Sequence, residues 1–242
     1  MKTTIVAEIG SNWEGSIKKA TKLISKCKDA DAVKFQMWRA TDLYNMDHPD
    51  WNFIKKSEVT FKTAKKLKEI CDDHNIEFYC SAFYPEAVDY LESLNVKRYK
   101  VASRTCLLKD LFSKETLKRK ADTKKHVIIS MGMGGNKKHI KKIFAKNKTT
   151  FCYCISEYPL LLKKINWKSA TLLDGFSDHT LGIAAPIIYA TLKKYQGAKN
   201  IMIEKHVKLK NSKGPDASSS IDTEEFSKMI KSIRIVENHK LK

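Results

Sequence analysis

The chain has 242 residues, 42% of them hydrophobic, enough apolar material for one large core or two small ones. No apolar run approaches the roughly 20 residues that span a bilayer, and the N-terminal MKTTIVAEIG turns polar too early for a secretory signal. The net charge of +19 raises the question of a nucleic-acid partner, yet of 46 basic residues only Arg39, Arg98, Arg104, Arg119 and Arg234 are arginine.

β-Branched and apolar runs alternate with longer amphipathic ones along the whole chain. Residues 3–9 (TTIVAEI) read as a first strand, followed by a helix near 16–28 that Ser16 would cap. Strands are expected at 31–36 (DAVKFQ) and 76–82 (IEFYCSA), with helices near 61–74 and 85–94. The next pairs are RYKVAS (98–103) with 107–120, HVIISMG (126–132) with 136–147, and TFCYC (150–154) with 163–171. LLDGFSDH (172–179) precedes a helix near 181–195, and NIMIEKH (200–206) precedes one near 222–237. Asp222 and Glu225 have capping-box spacing at the start of that last helix.

Eight strand–helix alternations in roughly 250 residues predict a (β/α)8 TIM barrel. The rival, a doubly wound open sheet, would want a glycine-rich turn after the first strand, and EIGSNWEGS lacks the GxGxxG spacing. Glycine and proline are few and no linker interrupts the pattern, so residues 1–242 are expected to form one domain. The six cysteines lack the framework of a small secreted fold and are expected as reduced thiols in the cytoplasm, Cys152 and Cys154 sharing one strand face. Lysines lie mostly opposite the apolar positions of the helices, the pattern of solvated faces. Nucleic-acid readers favour arginine forks, so a basic nucleic-acid-binding protein stands as the alternative from a different class.

Nearly every strand finishes on polar groups: Glu8, Lys34 and Gln36, Ser81, Lys100 and Ser103, Ser130, Ser156 just past the sixth, Ser177-Asp178-His179, and Glu204-Lys205-His206. In a closed barrel these ends converge on one mouth, where barrel enzymes carry their sites. His179 and His206 end adjacent strands. With oxygen donors nearby they suit Mn²⁺ or a similar divalent ion better than structural zinc, although each imidazole taken singly reads as a hydrogen-bonding group. His48, His74, His139 and His239 fall in loops or helices, and His126 opens a strand at the opposite face. Lys34 and Lys100, flanked by Ser103, Ser130 and Ser177, make a receptor for a small anion carrying phosphate and carboxylate. Glu8 would be the general base or the group that positions water.

The strings AEIGSNWEGS, DAVKFQ, YKVAS, VIISMGM, CISEYP, FSDHT, IEKH and KGPDASSS stand in the order seen in sialic acid synthases. The chain resembles that family over about residues 5–234, and FSDHT with IEKH and GPD is a specific combination. The resemblance implies a transferase that condenses phosphoenolpyruvate with an N-acylated hexosamine, releasing phosphate. It implies a divalent metal, usually manganese, held by His179 and His206. Phosphoenolpyruvate would be gripped by Lys34, Lys100, Ser103, Ser130, Ser156 and Ser177, while Tyr158 and Asp216 would touch the sugar. Glu8, Lys100 and His206 are the residues expected to carry catalysis, in a homo-oligomer such as a homodimer.

The sequence also departs from that family. Trp13 stands where relatives often have histidine, and Arg104-Thr105 where they commonly have Gly-Glu. Ser156 stands where relatives have an asparagine and Ala217 where they have a histidine, and the barrel is expected without the family's C-terminal antifreeze-like domain. Three expectations follow: a changed acceptor sugar, a barrel served by a separate antifreeze-like lid protein, or a degenerate barrel that binds phosphoenolpyruvate without turnover.

Overall fold

The computed structural model of the protein describes residues 1–239. Eight parallel strands follow one another around a closed sheet: β1 (Lys2–Glu8), β2 (Ala32–Met37), β3 (Glu77–Ala82), β4 (Arg98–Val101), β5 (His126–Ser130), β6 (Thr149–Tyr153), β7 (Gly175–Asp178) and β8 (Asn200–Lys208). The sheet closes where β8 pairs with β1 over seven residues, Lys2↔Asn200 to Glu8↔His206. This is the expected (β/α)8 barrel. A two-residue strand, β9 (Ile221–Asp222), extends the end of β8.

The helices wrap the outside: α1 (Ile17–Lys26), α2 (Ala40–Leu43), α3 (Trp51–Lys56), α4 (Phe61–Asp73), α5 (Pro85–Ser93), α6 (Ser113–Asp122), α7 (Lys137–Ile143), α8 (Trp167–Thr171), α9 (Ala184–Tyr195) and α10 (Thr223–Asn238). Each turns its apolar stripe to the strands, so that Leu23, Leu67, Leu91, Tyr189 and Phe226 join the main core. Ser16 caps α1 by accepting from the Lys19 amide, and Asp222 with Glu225 completes the capping box of α10. No helix among the described residues is long and apolar enough to cross a membrane.

Three connections differ from the sequence reading. Residues 38–60, read as a connection, hold the short helices α2 and α3, whose Ala40 and Ile54 pack with Trp38 and Phe83. The helix expected from 107 begins only at Ser113, because Arg104–Leu107 form a single 3-10 turn that Leu108 ends in the left-handed region at φ 59°. The stretch 163–171 divides into a 3-10 turn at Leu162–Lys164 and α8. Each segment is too short for a 3.6-residue period to declare itself.

One buried charge braces the barrel wall. Strands β3 and β4 share a single registered pair, Ser81↔Lys100. Lys120 of α6, fully buried, donates to the carbonyl oxygens of Ala82 at 2.7 Å and Lys100 at 2.9 Å. It thereby ties the two strand ends together. Burial brings its ammonium down from the usual 10.5 to about 7. The folded pKa lies below the unfolded one, so between pH 7 and 10.5 the unfolded chain binds the extra proton and stability rises with pH. Unfolding in urea should therefore show wild type gaining on Lys120→Met from pH 7 to pH 10. A difference that stays flat over that interval would contradict the assignment.

Candidate active site

The barrel interior is built in layers two residues apart, the period of a strand. Val6, Ala32, Tyr79, Ile128, Cys152 and Met202 form an apolar layer packed against one another. Two positions further along the same strands stand Glu8, Lys34, Ser81, Ser130, Cys154 and Glu204. Strands β4 and β7 add Lys100 and Ser177 to this polar layer, and Gln36, His179 and His206 lie beyond it toward the mouth. The dry layer below closes the barrel, so every charge above it is buried yet faces the open end.

Glu204 sits among the cations. Its Oε1 accepts from Lys100 Nζ at 2.8 Å and from Ser177 Oγ at 3.0 Å, with Lys34 Nζ 3.7 Å away. Lys34 also forms an ion pair with Glu8 and donates to Ser81 Oγ at 3.3 Å, while Gln36 Nε2 donates to Glu8 Oε1 at 2.7 Å. Two carboxylates and two ammonium groups thus share one buried network. Burial alone would raise Glu204, but Lys100 and then Lys34 hold it down at about 2. For Glu8 burial prevails over Lys34, and Glu204 adds repulsion, so its carboxyl rises to about 7. Burial works against the Lys100 charge as well, yet Glu204 keeps that ammonium above its usual value.

The two histidines meet as expected. Their ring centroids are 5.4 Å apart, and Tyr158 lies 4.2 Å from the His179 ring and 6.2 Å from that of His206. His179 Nδ1 is hydrogen-bonded to the Ile155 carbonyl at 2.7 Å, which leaves Nε2 available, and His206 Nδ1 has no partner among the described residues. Burial lowers both: His179, with His206 beside it, falls to about 4, and His206 is lowered by burial with Lys34 and Lys205 against the opposing pull of Asp216 and Glu204. Neutral imidazoles with available lone pairs are suitable metal ligands. Among the described residues no group of three or more His, Cys, Asp or Glu side chains is arranged to hold a metal. A metal held there would draw on these two imidazoles, and other donors would come from water or substrate.

The remaining expected residues surround this centre. Ser103 Oγ accepts from the Gly132 amide at 2.9 Å and lies 3.7 Å from Cys154 Sγ. Ser130 is buried with an unpartnered Oγ, and Ser156 is half-buried with its amide near the Gly132 carbonyl. Asp216 reaches the mouth from the 3-10 turn Pro215–Ser219, where Oδ2 accepts from the Ser11 amide at 2.7 Å and from Ser11 Oγ at 2.8 Å. Gly10 permits that approach, since it adopts φ 50° and a Cβ there would overlap the Asp216 carboxylate. Ser81, Gln36 and above all Glu204 belong to the network although the sequence reading left them out of the site. Their signal was the alternation itself: Glu204 shares a strand face with His206, and Lys205 does not.

The departures have structural homes. Arg104 does not stand as an added free cation in the mouth. It pairs bidentately with Asp110 at 2.8 and 3.0 Å, donates to the Leu43 carbonyl and lies 5.3 Å over the Tyr44 ring. Thr105 is buried with its hydroxyl unpartnered, and Trp13 is part of the main core. Outside the mouth, a groove of about 580 Å³ between α1 and α10 is lined by Lys18, Lys19, Lys22, Lys26, Lys210 and Glu224. Its lysines project from the surface, whereas Lys34, Lys100, Glu8 and Glu204 are buried and converge on the mouth.

Residues 22–241 match the NeuB family. The chain belongs to the NeuB family. A NeuB-type relative, the N,N'-diacetyllegionaminic acid synthase of Legionella pneumophila, is 31% identical over 98% of this chain and 73% of its own length. An uncharacterized protein of Methanocaldococcus jannaschii is 34% identical over 97% of this chain and 71% of its own. Among solved structures, the N-acetylneuraminic acid synthetase of Leptospira borgpetersenii, crystallised with citrate, superposes with a TM-score of 0.87 at 25% identity. That match covers all of this chain and 87% of the other. The protein is an enzyme of the sialic acid synthase type, a condensing transferase.

The buried network makes a stability prediction. Lys100→Met leaves Glu204 without its nearest cation and should lower the unfolding free energy by about 3–5 kcal/mol. Lys100→Met combined with Glu204→Gln removes both charges and should recover at least half of that loss in urea titrations. A double variant as unstable as the single one would show that the two side chains do not depend on each other.

Proposed function

We propose that this NeuB protein condenses phosphoenolpyruvate with the open-chain aldehyde of an N-acylated hexosamine, giving a nonulosonic acid and inorganic phosphate. The observation that carries the reading is the convergence of two buried ammonium groups, Lys34 and Lys100, on a mouth where the buried Ser130 hydroxyl has no partner among the described residues. Folded proteins seldom leave such a group unpaired. A small, dense, hydrogen-bonding anion fits that arrangement better than any surface partner does.

In this reading Lys34 and Lys100 take the phosphate and carboxylate of phosphoenolpyruvate, with Ser103, Ser130, Ser156 and Ser177 completing the grip. Binding draws the ammonium groups partly away from Glu8 and Glu204, and the substrate's negative charge replaces what they lose. Tyr158 and Asp216 hold the acceptor so that its aldehyde carbon faces C3 of the enol. A new C–C bond forms from C3 to the aldehyde carbon, whose oxygen takes up a proton and becomes a hydroxyl. Water adds at C2, and phosphate departs with its C–O bond broken as the C2 hydroxyl loses its proton to it and becomes the ketone. Glu8, poised near neutrality, takes the proton of that water. A divalent ion, manganese in our reading, would be held by His179 and His206 and supplies polarisation of the aldehyde oxygen.

The Arg104–Asp110 pair and Thr105 stand beside the mouth where relatives carry other residues, so the acceptor is expected to differ from N-acetylmannosamine. Phosphate release from phosphoenolpyruvate with Mn²⁺ should be measured across mono- and di-N-acetylated hexosamines. We expect release to depend on at least one acceptor, to stop with EDTA, and to fall by about a thousandfold or more in Glu8→Gln. Phosphoenolpyruvate binding without acceptor-dependent release would favour the degenerate barrel. Neither binding nor release would remove the reading altogether.

A further inference from the structure

Asp178 and Lys205 are the two ionisable groups of the strand tips that the condensation leaves without a part. Each sits one residue from a histidine, and strand alternation turns both away from the mouth, toward the helices. Both are buried, at 1% and 0% exposure. Lys205 Nζ meets Asp178 Oδ2 at 2.6 Å and also donates to the Thr180 carbonyl. Asp178 in turn accepts from the Thr180 amide at 2.9 Å and from Thr180 Oγ1 at 3.1 Å. The two residues face each other in the β7–β8 register, so the next position on each strand is His179 or His206.

A buried ion pair is a poor source of stability, because desolvating two charges offsets most of their attraction and apolar replacements are often neutral. What it supplies is geometry: one charge pair with three further hydrogen bonds admits a single arrangement of the two strand ends. From the other side, Leu160 donates its amide to the His179 carbonyl at 2.9 Å, and His179 Nδ1 is held on Ile155. We propose that Asp178 and Lys205 are positioning residues, a buried clamp behind the barrel wall that fixes the His179 and His206 imidazoles at the spacing needed to share one divalent cation. This rests on the reading of the two histidines as ligands.

The test is Asp178→Asn/Lys205→Met, which removes both charges while asparagine can still accept from Thr180. The double variant should unfold within a few degrees of wild type, yet bind Mn²⁺ about tenfold or more weakly in an electron paramagnetic resonance titration of the free ion. A metal-free readout accompanies it: the His179 Nδ1 proton, held on Ile155, should give a slowly exchanging imidazole signal in wild type that broadens or disappears in the variant. Wild-type Mn²⁺ affinity together with an unchanged imidazole signal would overturn the clamp. If wild type itself takes up no Mn²⁺, the ligand reading fails, and the imidazole signal alone decides on the clamp. Should the double variant not fold, Thr180→Val removes only the hydroxyl strut, and the same pair of unchanged readouts would overturn the proposal.

Discussion

A carboxylate almost without access to water, Glu204, is held ionised by Lys100 and Lys34, and the arrangement of the barrel mouth follows from that requirement. An isolated charge at this depth would neutralise or pull the strand apart. Satisfying it brings together the ends of β2, β4, β7 and β8, because Lys34, Lys100 and Ser177 all reach the same carboxylate. Glu8 is drawn in through Lys34 and left close to the point of protonation near pH 7. The network is therefore both a strut and a store of anion-binding groups. The cations that neutralise Glu204 are those that an incoming phosphate and carboxylate would engage.

The dry layer beneath makes such a network possible. Val6, Tyr79, Ile128 and Met202 fill the barrel below the charges, so water does not reach them from the far end. Above them the environment grades outward, from the lysines and Glu204 to the imidazoles and then to half-exposed Tyr158. Small anionic chemistry belongs at the bottom of that gradient and a bulkier polar acceptor at the top. Arg104 and Thr105 lie in the turn after β4, and Ala217 in the turn that carries Asp216. Arg104 spends its charge on Asp110, tying the turn after β4 to the segment carrying Leu43 and Tyr44.

Much of this was legible in the chain. Short β-branched and apolar runs between longer amphipathic ones marked the strands, and polar residues at their C-terminal ends marked Glu8, Lys34, Lys100, Ser130, Ser177, His179 and His206 as one mouth. Ser16 and the Asp222–Glu225 box marked helix starts because capping chemistry is local. The central place of Glu204 was less visible: Glu204, Lys205 and His206 look equivalent until the strand is laid out face by face. Helices α2 and α3 left no periodic trace, being four and six residues long. The bracing role of Lys120 was out of reach, since it depends on where a helix lies over a seam between strands 20 residues and more away in sequence.

The central claim is that the buried lysines form a receptor for phosphoenolpyruvate, and calorimetric titration of this anion into wild type and Lys34→Met tests it most directly. The variant keeps the Lys100–Glu204 pair, and Glu8, already raised to about 7, takes up a proton when its cation is gone, so no buried charge is left unpaired. The account predicts saturable binding to wild type and binding about a hundredfold or more weaker to Lys34→Met, the scale set by losing one buried charge contact. Equal affinity for the two proteins would contradict it.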